Sequence, residues 1–325
     1  IARFISNFSQ IQWVQKAFAD MGFDAKITTK GGVLVDLGGE DENNGLLLEA
    51  HTDTLGAMVA QIKGNGRLKL SPLGGMSANN GEAENVWVYT RDDKVIDGTL
   101  QLCNASVHVN GDYSSAKRSF DTMEVVLDED VNSAEDTRKL GIEVGDIVCF
   151  DPRTRRTNSG YLKSRFLDDK LSVGILLGFA KYLSDNEIKP SRKVWAHITV
   201  YEEVGHGASI VDRNIDEFVT LDMGCVGLDL AGNEYAVSIC AKDSAGPYNY
   251  EMNTKLINLA KDLKLDYAID VFPYYSSDVS AALRAGNNIK GALIGSGVAA
   301  SHGMERTHIK GVINTFELLK EYILN

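Results

Sequence analysis

The feature that most constrains this chain is an alternation of strand-like and helix-like segments that stops near residue 57 and resumes after Pro152. Before the interruption, residues 8–21 have the apolar spacing of an amphipathic helix, and residues 32–36 and 46–50 have the pattern of strands. After it, helices are predicted at residues 171–183, 250–263, 279–285 and 312–324, and strands at residues 193–201, 218–221, 235–241 and 289–294. Alternation of this kind is typical of α/β folds, in which helices cover a sheet.

The intervening residues follow a different pattern, in which short β-rich runs succeed one another at residues 58–62, 67–70, 86–90, 99–103, 123–127 and 146–150. Turn sequences such as Gly64-Asn65-Gly66 separate these runs and predict an all-β module. The chain could therefore contain two sequential domains divided near residue 150. The alternative is one α/β domain of residues 1–57 and 154–325 interrupted by an inserted β domain of residues 58–153. We favour the insertion because candidate functional residues lie on both sides of it.

Composition narrows the classes of partner that the chain can have. With 325 residues, of which 44% are hydrophobic, the chain can bury a large core. The net charge of −12 argues against nucleic acid and anionic membranes as partners, since both would repel it. No apolar run reaches the roughly 18 residues that a transmembrane helix needs. The four cysteines are widely separated and lack a C-x-x-C motif, so we expect buried thiols and a reducing cytoplasm.

Acidic residues and histidines occur in five places along the α/β segments, most of them where an apolar run ends. They are His51-Thr52-Asp53, Asp168-Asp169, Glu202-Glu203, Asp222 and His302. The carboxyl ends of strands are where α/β sheets place their ligand sites. Two histidines and several carboxylates provide the ligands that a pair of divalent metal ions needs, with one carboxylate left as a base.

Each of these groups alone also has a plain structural explanation. Asp53 could accept the second ring N–H of His51, as carboxylates behind metal-binding histidines do, or it could only form a turn. The adjacent Glu202 and Glu203 would need a cation if they were buried, but they could also lie at a solvated strand end. The Asp168-Asp169 pair precedes a helix and could simply cap it. The order of the groups is more informative than any one of them.

In that order the groups resemble the co-catalytic dinuclear zinc aminopeptidases. The long segment between Asp53 and Asp168 is similar to that of metallopeptidase family 42, the glutamyl, deblocking and tetrahedral aminopeptidases, whereas carboxypeptidase-like relatives carry their extra domain later. The resemblance extends from about residue 30 to the end, and its motifs are EAHTDTLGAMV, KLGIEVGD, SRFLDDKLSVG, ITVYEEVGHGAS, TLDMG and SSDVSAALRAG. It implies a mixed-sheet α/β/α metallo-aminopeptidase domain interrupted by a small β-barrel-like domain.

The resemblance also implies a role for each residue. Two divalent ions would bind, zinc or else cobalt or manganese, with His51 and Asp222 at one ion, Glu203 and His302 at the other, and Asp168 bridging both. Asp53 would orient His51, and Glu202 would be the general base. The peptide bond between Asp168 and Asp169 would be cis. The chain would remove N-terminal residues from peptides with a metal-bridging water, and would form a homo-oligomer, a dimer or a dodecamer, with the insert serving dimerisation or substrate access.

Two other functions remain open at this point. The same metal pair could serve a deacylase or amidase that acts on small acylated metabolites. Alternatively, the chain could be a non-catalytic binding or assembly protein on a degenerate scaffold, although no ligand type is missing. The preferred substrate is open as well. Arg284, Arg306 and Lys310 near the last motifs could select acidic substrates, or they could be solvated surface residues.

Overall fold

The computed structural model describes residues 8–211 and 214–325, and the side chains of residues 8 and 9 lie outside that description. The chain divides into two compact units. Residues up to Thr54 together with Thr154–Asn325 form one unit, and Leu55–Arg153 form the other. Within the described residues, none of the helices is both long enough and apolar enough to cross a membrane.

The helices of the described residues are α1 (Phe8–Asp20), α2 (Ala78–Gly81), α3 (Ala134–Lys139), α4 (Leu167–Asp185), α5 (Tyr250–Asp262), α6 (Asp278–Arg284) and α7 (Ile309–Leu324). The strands are β1 (Asp24–Ile27), β2 (Val33–Gly38), β3 (Asp41–His51), β4 (Gly56–Ile62), β5 (Leu68–Leu73), β6 (Asn85–Tyr89), β7 (Val95–Leu102), β8 (Met123–Leu127), β9 (Ile147–Phe150), β10 (Arg155–Arg156), β11 (Tyr161–Ser164), β12 (Arg192–Thr199), β13 (Ile215–Leu221), β14 (Gly224–Val226), β15 (Val237–Lys242), β16 (Tyr267–Val271), β17 (Lys290–Ala299) and β18 (Glu305–His308).

The larger unit is built on a mixed sheet with the strand order β1-β2-β12-β3-β13-β17-β18-β11-β10, and β14, β15 and β16 join it beside β17. Strand β3 runs parallel to its neighbours β12 and β13, whereas β2 pairs with β12 in the antiparallel direction. The predicted central strand is β12, which lies between β2 and β3. The predicted α/β class with a mixed sheet is confirmed.

Helices pack on both faces of this sheet. Leu46 and Leu48 of β3 lie in a core cluster with residues of α1, α4, α5 and α7. Leu47, between them, lies in a second cluster with Val279 and Ala282 of α6. Since side chains of a strand alternate between faces, the run GLLLEAH is buried on both sides and brings His51 to the carboxyl edge of the sheet.

The smaller unit is a closed barrel with the strand order β4-β5-β8-β7-β6-β9. Alternate residues of its strands form an apolar interior, and Val59, Leu68, Val86, Leu100 and Val125 are fully buried. Closure leaves the sheet without an unpaired edge. The predicted β-barrel-like character of the inserted residues is confirmed.

Two expectations from the sequence were incomplete or wrong. Six strands of the larger unit were not predicted, because each has at most five residues and so shows too little of a strand pattern; they are β1, β10, β11, β14, β16 and β18. None of the four described cysteines is in a disulfide bond. Cys240 is buried as predicted, whereas Cys149 and Cys225 are half-buried and Cys103 is exposed. It follows the last residue of β7, Leu102, and therefore lies where the chain leaves the barrel wall.

Candidate metal centre

The carboxyl ends of three neighbouring parallel strands bring the predicted residues together. His51 is the last residue of β3, and Thr199, its register partner, is the last residue of β12. Asp222 follows directly after β13, which is parallel to β3 on the other side. The chain continues from β12 into the segment that carries Glu202 and Glu203. Four of the predicted positions are thus placed at or just after the ends of neighbouring parallel strands.

His51 is almost completely enclosed, with 1% of its surface exposed. Its Nε2 atom lies 3.0 Å from Oδ1 of Asp168 and 3.7 Å from Oε2 of Glu202. On the other side of the ring, Nδ1 lies 3.2 Å from the backbone oxygen of Asp53 and 3.5 Å from its carboxylate. The imidazole is therefore held from behind by Asp53, while Nε2 faces the carboxylates.

The carboxylate of Asp53 also holds the glutamate pair. One oxygen accepts the backbone N–H of Glu202 at 3.2 Å, and the other accepts that of Glu203 at 3.1 Å. Asp53 is fully buried. One side chain therefore fixes both the imidazole of His51 and the backbone that carries Glu202 and Glu203.

The two oxygens of Asp168 face different histidines. Oδ1 lies 3.0 Å from Nε2 of His51, and Oδ2 lies 3.5 Å from Nε2 of His302. Nε2 of His302 also lies 3.7 Å from Oε2 of Glu203. The Asp168–Asp169 peptide bond is cis, and neither residue has helical backbone angles although both precede the regular part of α4. Asp168 therefore stands between the two sides of the cluster, rather than acting as an ordinary helix cap.

Burial among like charges controls the ionisation of these groups. Burial and repulsion from Asp168 raise the pKa of Asp222 to about 7 and raise that of Glu203 well above its usual range. Burial acts to raise the pKa of Asp168 too, but hydrogen bonds to His302 and His51 outweigh it and lower the pKa. The pKa of His302 is raised to about 9 by Asp168. So many buried acids are unfavourable unless cations neutralise them.

Two sets of three ligand atoms lie within 4.8 Å of one another, and both contain His51. One set adds Asp168 and Glu203, and the other adds Asp169 and Asp222. Asp169 was not among the predicted ligands. Its Oδ2 accepts the backbone N–H of His51 at 3.1 Å, whereas its buried Oδ1 has no hydrogen-bond partner. A nitrogen and carboxylate donor set with an unpaired buried oxygen has the composition that divalent ions bind.

Comparisons with known proteins show which family this chain belongs to. Residues 31–318 match the sequence pattern of the M42 glutamyl aminopeptidases. The candidate aminopeptidase YhfE of Bacillus subtilis (strain 168) is 40% identical over 319 residues, which are 98% of this chain and 92% of that protein. The chain belongs to the M42 glutamyl aminopeptidase family.

Solved structures share the fold of this M42 chain at lower sequence identity. An aminopeptidase from the archaeon Desulfurococcus kamchatkensis matches with a TM-score of 0.86 and 22% identity, over 98% of this chain and 89% of that one. The TET1 peptidase of Pyrococcus horikoshii matches with a TM-score of 0.84 and 22% identity, over 99% of this chain and 96% of that one.

Membership in the M42 family makes this chain a metal-dependent aminopeptidase, a hydrolase that acts on peptides. The described residues also contain a cluster that could hold a metal ion. The deacylase and the non-catalytic scaffold considered above are not favoured by these relatives.

Sequence reasoning missed Glu305, which connects two parts of the centre. Its Oε2 accepts the backbone N–H of Asp168 at 3.0 Å, and its Oε1 accepts that of His302 at 3.0 Å. Burial and repulsion from Asp168 raise the pKa of Glu305 to about 8. The acidic residue three positions after His302, in the run ASHGMERTH, was the one available signal.

Proposed function

We propose that this M42 chain removes N-terminal residues from peptides with two divalent ions held by five side chains. The ligands are His51, Asp168, Glu203, Asp222 and His302. The observation that carries the proposal is the position of Asp168, whose two oxygens face His51 and His302 separately. Nitrogen and oxygen donors suit zinc, and they also suit cobalt or manganese.

Bound divalent ions would lower the pKa of a coordinated water and polarise the carbonyl of the scissile peptide bond. Glu202 is the residue that we assign to proton transfer. It is nearly buried beside His51, and burial raises its pKa well above the usual range, as a general base working near neutral pH requires. Glu202 takes the proton of the attacking water and delivers it to the leaving amine nitrogen. Asp53 orients both His51 and the backbone of Glu202.

One experiment tests the metal dependence and the substrate class together. The purified chain is analysed for bound metal, stripped with a chelator and reloaded with zinc, cobalt or manganese. We expect about two ions per chain and the return of hydrolysis of aminoacyl-p-nitroanilides. Hydrolysis of N-acyl amino acids in place of aminoacyl-p-nitroanilides would instead identify a deacylase. Full activity after complete removal of metal would contradict the proposal.

We also propose that the two compact units are the catalytic domain and an inserted domain that serves dimerisation or substrate access. The TET1 peptidase of Pyrococcus horikoshii, which has the same fold, assembles into a tetrahedron or an octahedral shell. Light scattering of the full chain should therefore give the mass of a homo-oligomer. A monomer at micromolar concentration would contradict this assignment. The lack of a disulfide bond among the four described cysteines supports the predicted reducing compartment.

A further inference from the structure

A cavity of about 300 Å³ opens beside the metal centre, and Asp168 and His302 form part of its wall. Most of its other lining side chains are apolar or aromatic, and they include Met223, Cys225, Leu230, Phe272, Pro273 and Tyr275. The volume is at the lower end of the range for small-molecule pockets, so one side chain of a substrate can enter and a longer peptide cannot. The entering side chain would belong to the residue whose peptide bond lies at the metal centre.

Apart from His302, which the proposed function assigns to a metal ion, the described lining offers no positive charge to an acidic side chain. None of the described residues that line this cavity is a lysine or an arginine. The basic residues of the last motifs are engaged elsewhere. Arg306 donates to Glu234 at 3.2 Å, Lys310 lies 5.8 Å from the ring centre of Tyr235, and Arg284 lines a different cavity beside Asp243. A glutamate side chain would therefore lose its hydration without gaining a counter-ion.

The lining also offers no free carboxylate to a basic side chain. Asp270 lies near Cys225, but its two oxygens already accept the backbone N–H groups of Ala231 and Gly232 at 2.8 Å each. Asp168 is committed to the histidines of the metal centre. The hydroxyl of Tyr275 donates to the backbone oxygen of Met223 at 3.2 Å, and burial raises the pKa of the Cys225 thiol to about 12. The thiol therefore stays neutral, and the remaining wall is uncharged and mostly apolar.

We propose that this cavity selects an uncharged, apolar N-terminal residue of leucine, methionine or phenylalanine size, and that this chain discriminates against N-terminal glutamate and lysine. This inference rests on the proposed function, because it assigns the substrate class of the same site. It also separates this chain from the glutamyl activity that the family description names. Each methylene that a hydrophobic pocket gains or loses changes kcat/KM by roughly 10–200-fold.

The first test compares kcat/KM for the p-nitroanilides of leucine, methionine, phenylalanine, glutamate and lysine, with the metal-loaded full chain. We expect each apolar substrate to exceed the glutamate and lysine substrates by at least about 10-fold. A glutamate or lysine substrate that equals or exceeds the apolar ones would overturn the inference. Hydrolysis of none of the five would count against the proposed function instead.

A binding measurement decides the question about the cavity even if turnover fails. Free norleucine should raise the thermal unfolding temperature of the metal-loaded chain, because it fills the cavity in the folded state only. Free glutamate at the same concentration should raise it less. Equal shifts for the two amino acids would overturn the inference.

A third test introduces a positive charge into the lining of the cavity and compares it with the same charge placed outside the cavity. Leu230 is only partly buried, so Leu230→Arg can be accommodated and supplies the missing counter-ion. We expect the ratio of glutamate to leucine kcat/KM to rise by at least about 10-fold in this variant. The control is Leu228→Arg, which adds the same charge to the same loop at a side chain that is 95% exposed and does not line the cavity. An equal rise in the control would overturn the assignment of the cavity.

Discussion

The two histidines of the centre, His51 and His302, differ in their burial and in the contacts that hold them. His51 ends a central strand with 1% of its side chain exposed, whereas His302 lies in a turn at φ +61° with 39% of its side chain exposed. His51 is held through its ring by Asp53, and His302 is held through its backbone N–H by Glu305. We call the part of the centre around His51 the closed side, since it belongs to the sheet. The part around His302 is the open side, which borders the proposed substrate cavity.

This difference separates two requirements of a hydrolytic metal site. One side needs fixed geometry, which a buried parallel sheet supplies. The other must leave room for a peptide, and the turn that carries the half-exposed His302 does so. The two sides nevertheless have the same hydrogen-bonding arrangement, in which the two oxygens of a buried carboxylate each accept one backbone N–H. Asp53 holds Glu202 and Glu203 in this way, and Glu305 holds Asp168 and His302.

The largest effect is expected at Asp168, where the two sides meet. Asp168→Ala removes the carboxylate that faces both histidines, so the metal content should fall from about two ions per chain to about zero, and activity should be lost. Elemental analysis and circular dichroism of the same sample would separate metal loss from unfolding. A folded variant that keeps two ions would remove Asp168 from its bridging role.

The second-largest effect is expected at Glu202, where a substitution should lower kcat without changing metal binding. Glu202→Gln should lower kcat by roughly 10²–10⁴-fold, because the amide cannot accept the proton of the attacking water. Metal content should stay at the wild-type level. Glu251→Gln is the control, since it removes the same charge from an exposed ion pair with Lys290 and should leave kcat unchanged. Equal losses of kcat in both variants would contradict the base assignment.

A matched pair of substitutions compares the two sides directly. Asp53→Asn and Glu305→Gln each replace one accepting oxygen by an amide nitrogen, so one of two backbone N–H groups loses its acceptor. Partners behind metal ligands typically contribute 10–100-fold to affinity, and we expect about 100-fold loss for Asp53→Asn and about 10-fold for Glu305→Gln. Asp53 should matter more because its carboxylate also lies 3.5 Å from Nδ1 of the His51 ring. Competition with a chelator measures both affinities, and a reversed order would contradict the comparison.

The smallest effect concerns stability and pH in the metal-free protein. The pKa of Glu305 is raised to about 8 and that of His302 to about 9, both above their values in an unfolded chain. Between pH 5 and 8 the folded state therefore holds more protons than the unfolded state at Glu305, and the free energy of unfolding should fall as pH rises, by up to about 1.4 kcal/mol per pH unit for this group. His302 adds to the fall only above its ordinary value of 6.5, and less steeply because its side chain is 39% exposed. Urea unfolding at several pH values measures this. Glu305→Gln should flatten the slope, and an unchanged slope would exclude Glu305 as a cause.

The sequence predicted the closed side better than the open side. The run GLLLEAH is a continuous apolar strand that ends in a ligand, and parallel register then requires the ends of β12 and β13 to lie beside it. Glu305 could not be found in this way. It acts on the backbone of Asp168, which is 137 positions away, and a contact between a side chain and a distant N–H leaves no periodic pattern. The same reason explains why Asp169 was not predicted as a metal ligand.

The substrate cavity was equally hidden from the sequence. Its wall combines residues that follow β13 with residues between β16 and α6, and neither stretch has a composition that predicts a pocket. Arg284, Arg306 and Lys310 were close to the last motifs in sequence, but their partners lie away from the cavity. For these three basic residues, a position near the motifs in sequence did not mean a position at the cavity.

The carboxylate of Glu305 joins the start of α4 to the turn after β17 by hydrogen bonds that involve no ligand atom. Asp168 and His302 are thereby preorganised before any ion arrives. Metal uptake then requires neither refolding nor the ordering of a loop, so its entropic cost is small. A stripped chain should exchange ions repeatedly without losing its structure, and such exchange would let the availability of metals in the surroundings decide which ion the enzyme uses.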